Sequence, residues 1–85
     1  MTSPLSSAQA ARSALATRLR HLRLDAGLAG HQLSLACGWH PAKTSRIENT
    51  RALPSDADIR AWCAACDADS QAEDLIAAAR SATST

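Results

Sequence analysis

The sequence predicts a single all-α domain, and three observations indicate this fold class. Hydrophobic residues make up 46% of the 85 residues, but most are Ala (20) or Leu (10), which favour helices. Val, Phe and Tyr, which favour strands, are absent. Apolar residues recur at spacings of three and four, the period of a helix with one buried face. A chain of this length is expected to form one domain around one core.

A first helix is predicted over residues 7–26. Leu15, Leu19 and Leu22 follow one another at i, i+4 and i+7 and therefore share one face. Gly27 then supplies a residue that readily adopts the left-handed conformation found after many helices. The leucine face is expected to lie against the core.

Both ends of the chain are expected to lie outside the domain. Residues 1–6 are rich in Ser, Thr and Pro, and residues 82–85 are Ser, Thr and Ala. Such termini are poorly ordered unless they are tied down. We therefore expect a flexible N-terminal segment over residues 1–6, the domain over residues 7–81 and a flexible tail over residues 82–85.

Two short helices are predicted over about residues 30–37 and 41–49, the second ending at Glu48 or Asn49. Gly38 separates them, and Pro41 suits the first position of the second helix, where its missing N–H is not needed. His40 precedes it and is a poor residue for capping a helix through its side chain. A tight turn between two short helices is typical of a helix-turn-helix unit.

Two further helices are predicted from capping signals. Ser55 and Asp58 form a near capping box, and Ser70 and Glu73 form a complete one. The fourth helix would bury residues at i, i+3, i+4 and i+7, namely Ile59, Trp62, Cys63 and Cys66. The fifth would bury Leu75, Ile76 and Ala79.

The charge is divided between the two parts of the chain, although the formal net charge is only +1. Residues 1–51 carry seven Arg and Lys against two acidic residues, for a net charge of +5. Residues 52–85 carry two Arg against six acidic residues, for a net charge of −4. Such a division suits a protein that binds a polyanion through one face and turns its other face away.

The second short helix is predicted to expose a cationic face. Gly38 permits the sharp turn, Ser34 is small enough to lie where the helices cross, and Leu33, Cys37, Thr44 and Ile47 are expected to close the core between them. The residues that remain outward are Ala42, Lys43, Ser45 and Arg46. A face of this size fits the major groove of double-stranded DNA.

The run over residues 27–49 resembles the Xre class of regulators, the phage repressor and Cro type of helix-turn-helix. It is most similar to actinobacterial regulators that carry a domain of this kind near the N-terminus. The likeness covers residues 19–75 and includes Gly38-Trp39, Lys43, Ser45-Arg46-Ile47-Glu48, Pro54-Ser55 and Arg60-Ala61-Trp62. It implies a five-helix, lambda-repressor-like domain and sequence-specific transcriptional control.

The resemblance also implies a site and partners. Residues 41–49 would be the recognition helix, Arg23 and Glu48 would form a structural ion pair, and the protein would bind DNA as a homodimer on paired half-sites. A partner protein or a larger C-terminal domain is a further expectation. The expected DNA-binding residues are His31, Gln32, His40, Ala42, Lys43, Ser45, Arg46, Asn49 and Arg51.

Four positions depart from the family pattern. Ala29 replaces the usual Ser or Thr cap of the first short helix and so removes a possible phosphate contact. Pro41 and Ala42 occupy exposed positions that often carry side chains able to hydrogen-bond a base, and neither can do so. Thr50 stands where Gly often ends the helix, and a β-branched residue resists positive φ. Pro41, Ala42 and the modest overall charge motivate an alternative, in which the scaffold serves as a protein-interaction adaptor that binds DNA weakly or not at all.

Metal binding and catalysis are weaker interpretations. Cys37, His40, Cys63 and Cys66 have spacings that a zinc site would permit, but three of them are expected in apolar core positions. No catalytic constellation is evident, so neither an enzyme nor a cofactor is expected. The sequence has no apolar run long enough for a membrane helix and no evident secretory signal, so a cytoplasmic location is expected.

Overall fold

The computed structural model describes the backbone of residues 4–83 and the side chains of residues 7–83, and it confirms the all-α class. A 3₁₀ turn over Asp69–Gln71 precedes the last helix. The helices are α1 (Pro4–Asp25), α2 (Gly30–Cys37), α3 (Pro41–Glu48), α4 (Asp56–Ala65) and α5 (Ala72–Thr83). Helix α1 packs on α5, and α2 packs on both α3 and α4.

The outer helices extend beyond their predicted ends. Helix α1 begins at Pro4, so part of the segment expected to be flexible is helical, because proline suits the first turn of a helix. Helix α5 continues to Thr83 and so includes part of the expected tail. Residues 1–3 and 84–85 lie outside the described residues.

The core is centred on Trp62, which is fully buried. Its indole Nε1 donates a hydrogen bond to the Leu19 carbonyl at 2.9 Å, and this contact joins α4 to α1. The large apolar side chains around it come from all five helices, namely Leu15, Leu19, Leu33, Ile47, Ile59, Leu75 and Ile76. Leu75 and Ile76 are buried, as their spacing predicts, so their side chains are not available for contacts with a second copy of the chain.

Helix α4 begins as its sequence predicts, but α5 does not. The Asp58 amide donates to Ser55 Oγ at 3.1 Å, and the Ser55 amide donates to Asp58 Oδ2 at 3.0 Å, which completes a capping box. Ser70 lies within the 3₁₀ turn, so it cannot occupy the capping position of α5. Glu73 instead accepts a hydrogen bond from Arg60 at 2.8 Å. The predicted capping box at Ser70 is therefore wrong.

Two residues with positive φ lie in turns next to α3, Gly38 before the helix and Thr50 after it. Gly38 ends α2 with φ of 77°, as its place in the sequence predicts. Thr50 follows α3 with φ of 59°, although a β-branched residue resists this conformation. The amide of Thr50 donates to the Ile47 carbonyl at 3.2 Å, and the amide of Arg51 donates to the Arg46 carbonyl at 2.8 Å. These bonds close the end of α3 and hold Thr50 in its strained conformation.

Replacement of Thr50 by Gly is expected to raise the free energy of unfolding by about 0.5–1 kcal/mol. Left-handed strain costs about 1–3 kcal/mol and exceeds the roughly 0.4–1 kcal/mol that Gly adds to the entropy of the unfolded chain. Urea denaturation measures the difference. Asp67, with φ of 55°, is the matched control, because Asp tolerates this region better and Asp67→Gly should gain less. A Thr50→Gly protein less stable than wild type would contradict the account.

Candidate nucleic-acid interface

Helices α2 and α3 are joined by a chain of hydrogen bonds. Ser34 Oγ donates to the Gly30 carbonyl at 2.8 Å, and Trp39 Nε1 donates to Thr44 Oγ1 at 2.8 Å. The two hydroxyl oxygens lie 2.6 Å apart. Because the Ser34 proton is already used, Thr44 is the donor between them. Both side chains are buried, so the chain fixes the crossing of the two helices.

The far end of α3 is tied to α1 by Arg23 and Glu48, the pair that the family resemblance implies. Arg23 Nε lies 2.6 Å from Glu48 Oε2, and Arg23 Nη2 lies 3.0 Å from Glu48 Oε1. Arg23 Nη1 also donates to the Leu28 carbonyl at 2.9 Å. The Glu48 hydrogen bond raises the pKa of Arg23, although burial opposes this effect. Only 11% and 14% of the two side chains are exposed, so this is a largely buried, bidentate ion pair.

The start of α3 is capped by a side chain that the sequence did not favour for this role. His40 Nδ1 accepts a hydrogen bond from the Ala42 amide at 3.0 Å. The expectation that His40 is a poor cap is therefore wrong, because an unprotonated ring nitrogen serves as the acceptor that Asn or Ser usually provides. Pro41 follows at the first helical position. This cap leaves His40 exposed, with its second ring nitrogen free of the capping bond.

The exposed polar residues at the surface of α3 are Ser45 and Arg46 on the helix and Asn49, which caps its end. Asn49 Nδ2 donates to the Ser45 carbonyl at 2.9 Å and to Ser45 Oγ at 3.2 Å, so these two side chains act as one polar unit. Arg46 forms no ion pair within the described part of the chain. Ala42, one turn earlier, is half-buried and apolar. The guanidinium of Arg46 is thus the principal cationic group on this face.

Lys43 is paired within the domain, unlike Arg46, although both residues were predicted on one exposed cationic face. Its Nζ lies 2.8 Å from Asp58 Oδ1 on α4 and 4.4 Å from the centroid of the Trp39 ring. The pKa of Asp58 is lowered, because hydrogen bonds from Lys43 and the Ser55 amide outweigh the effect of burial. Sequence reasoning assigned Asp58 only to the cap of α4 and missed this contact, which depends on how α4 crosses α3.

The remaining predicted residues surround α3. Gln32 Oε1 accepts from the Ala29 amide at 2.7 Å and so supports the start of α2, where Ala29 has no side-chain acceptor. His31 is exposed in the first turn of the same helix. Arg51 is exposed in the connector after α3, at the edge of a cleft that α1 also lines. The start of α2 and the connector after α3 therefore both carry polar side chains near α3.

The three cysteines are free thiols. Burial raises the pKa of Cys37 and Cys63, and it raises the pKa of Cys66 to about 11. The thiols are therefore protonated at neutral pH and are poor nucleophiles. Within residues 4–83, no three His, Cys, Asp or Glu side chains are placed to hold a metal ion. In the same range, no helix combines the length and apolar character needed to cross a bilayer.

Comparison with known proteins identifies the family. A family model described as a helix-turn-helix domain matches residues 14–78, which extend from α1 into α5 and include the whole α2–α3 unit. No curated protein and no solved structure matches the chain. The match covers well over half of the 85 residues. The chain therefore belongs to the helix-turn-helix domain family.

Proposed function

We propose that this domain is a transcriptional regulator of the Xre type that binds double-stranded DNA sequence-specifically, with α3 in the major groove. The observation that carries the proposal is the way α3 is held. The Ser34–Thr44 bond and the Arg23–Glu48 pair fix the helix from its buried side. The opposite face remains exposed. A rigid helix with a free polar and cationic face is what reading of base edges requires.

Arg46 is the residue proposed to read a base. Its guanidinium is free of ion pairs within the described residues and can form a bidentate contact with guanine, the commonest specific contact in the major groove. Ser45 and Asn49 offer a hydroxyl and an amide on the same face. The Ala42 methyl group can touch a thymine methyl but can accept no hydrogen bond. Sequence reading therefore rests mainly on Arg46.

Phosphate contacts are proposed for groups at the edges of α3. Arg51 in the connector carries a full positive charge, and His31 and Gln32 lie in the first turn of α2, where backbone amides favour an anion. His40 lies beside the start of α3 with one ring nitrogen outside the cap. The net charge of +5 over residues 1–51 supports attraction of this part of the domain to DNA.

A homodimer on DNA belongs to the same proposal. One recognition helix reads only a few base pairs, and regulators of this type reach useful specificity with two half-sites about 34 Å apart. Since Leu75 and Ile76 are in the core, the dimer contacts must come from other residues. Sedimentation of the complex with a selected duplex measures the stoichiometry, and a one-to-one complex on a site without symmetry would exclude the dimer.

Salt dependence tests whether the domain binds DNA through charge. Wild-type affinity for a random-sequence duplex should fall steeply as salt is raised from 50 to 200 mM, because each neutralised phosphate releases a counterion. Arg51→Ala should reduce the slope of log affinity against log salt by about one. Fluorescence anisotropy at several salt concentrations measures both slopes. An unchanged slope for Arg51→Ala would show that Arg51 does not contact a phosphate.

The second candidate function is a protein-interaction adaptor, and an exposed side chain on α2 favours it. Leu35 is 78% exposed, and Leu24 on α1 is 51% exposed. Such residues are often part of a protein interface when they lie in a larger apolar patch. Absence of DNA binding at low salt, together with a partner that Leu35→Asp releases, would support the adaptor and contradict the regulator.

A further inference from the structure

Lys43 is held on two sides within the domain. Its ammonium group contacts Asp58 at 2.8 Å and the face of Trp39 at 4.4 Å from the ring centroid. About a third of the side chain remains exposed, so the group is close to solvent and yet partnered. Lys43 lies three residues before Arg46 on α3, which places both residues beside the same groove in the proposed complex. A lysine in this position would reach phosphate if it were free.

Asp58 is anchored and cannot follow Lys43 towards DNA. Its Oδ2 accepts from the Ser55 amide at 3.0 Å, while Oδ1 contacts Lys43. The carboxylate thus belongs to the start of α4 and offers Lys43 a fixed anionic partner. A DNA phosphate would have to displace this partner, and also the Trp39 ring, before it could bind the ammonium group.

We propose that Asp58 outcompetes DNA phosphate for Lys43, retains the Lys43 ammonium group in the DNA complex, and thereby lowers the affinity of the domain for DNA of any sequence. The inference rests on the proposed function. Lys43 is then a positioning residue that links α3 to α4 through Asp58 and Trp39, and base reading is left to Arg46. Because the withheld contact would be with phosphate, its release strengthens binding to specific and non-specific duplexes by the same factor.

The variant Asp58→Asn tests the competition while it keeps the helix cap, because the Asn side-chain oxygen can still accept from the Ser55 amide. It should bind a random-sequence duplex about three- to tenfold more tightly at 50 mM salt, with a salt slope steeper by about 0.9. The control is Asp56→Asn, which removes the same charge from the same helical turn but frees Arg80 on α5. It should change the affinity by less than about twofold.

A double variant separates direct contact from long-range charge. In a Lys43→Gln background, Asp58→Asn should leave the salt slope unchanged and alter the affinity by at most about twofold, since no ammonium group is released. NMR of the Lys43 ammonium in wild type gives a second readout that does not depend on the folding of any variant. We expect the Asp58 contact to persist in the DNA complex.

The outcomes distinguish the two proposals. If wild type binds DNA and Asp58→Asn matches it in affinity and slope, the competition is refuted while DNA binding stands. An equal gain from Asp58→Asn in the Lys43→Gln background, or transfer of the Lys43 ammonium to phosphate in the wild-type complex, also refutes it. If wild type binds no DNA at low salt, the proposed function fails and the inference fails with it.

Discussion

Replacement of Glu48 by Ala is expected to lower the free energy of unfolding by about 3 kcal/mol. Loss of one partner of a buried ion pair typically costs about 3–5 kcal/mol, because the other charge is left desolvated and unpaired. The lower end applies here, since 11% of the Arg23 side chain is exposed and the Leu28 carbonyl still accepts one of its hydrogen bonds. Urea denaturation of wild type and variant measures the loss.

The Arg60–Glu73 pair provides the matched control. Its two side chains are 57% and 76% exposed, although its 2.8 Å contact is similar to that of Arg23 and Glu48. An exposed pair contributes under about 1 kcal/mol, so Glu73→Ala should have a small effect. Equal and small losses for Glu48→Ala and Glu73→Ala would show that the Arg23–Glu48 pair does not hold α3 in place.

Replacement of Arg46 by Ala is expected to reduce affinity for a cognate duplex by about 1–3 kcal/mol, or roughly five- to 150-fold. The reason is the loss of a bidentate contact with guanine, which Ala cannot replace. On a scrambled duplex the loss should be much smaller, because only a phosphate or long-range charge effect remains. Titrations on both duplexes at one salt concentration measure the difference.

Arg51→Ala is the control for Arg46→Ala, because it removes the same side chain from the connector that follows α3. It should weaken binding to cognate and scrambled duplexes alike, as expected for a phosphate contact. If Arg46→Ala also weakened both duplexes by the same factor, then Arg46 would position the domain without reading sequence. The proposed reading role of Arg46 would then be wrong.

The helices were predictable because their signals are local. Apolar spacing located the buried face of α4 through Ile59 and Trp62, and Gly38 marked the turn between α2 and α3. Helix α3 ends at Glu48, with Asn49 as its cap, and the prediction placed this end at Glu48 or Asn49. Arg23 and Glu48 are 25 residues apart, and only the family resemblance pointed to their contact.

The features that sequence reasoning missed depend on geometry that spacing does not fix. The contact of Lys43 with Asp58 requires the crossing of α3 and α4, which no local pattern encodes. His40 caps α3 because its ring turns Nδ1 towards the Ala42 amide, and the sequence does not indicate this orientation. The 3₁₀ turn that contains Ser70 displaced the start of α5, although Ser70 and Glu73 have the spacing of a capping box.

Selection of bound duplexes from a random pool, carried out in parallel with wild type and Arg46→Ala, tests the central claim most directly. If α3 reads the major groove through Arg46, wild type will enrich a defined motif that contains an invariant guanine. Arg46→Ala will enrich a motif that has lost preference at that one position and keeps the others. A wild-type pool without any enriched motif, or identical motifs for the two proteins, would contradict the account.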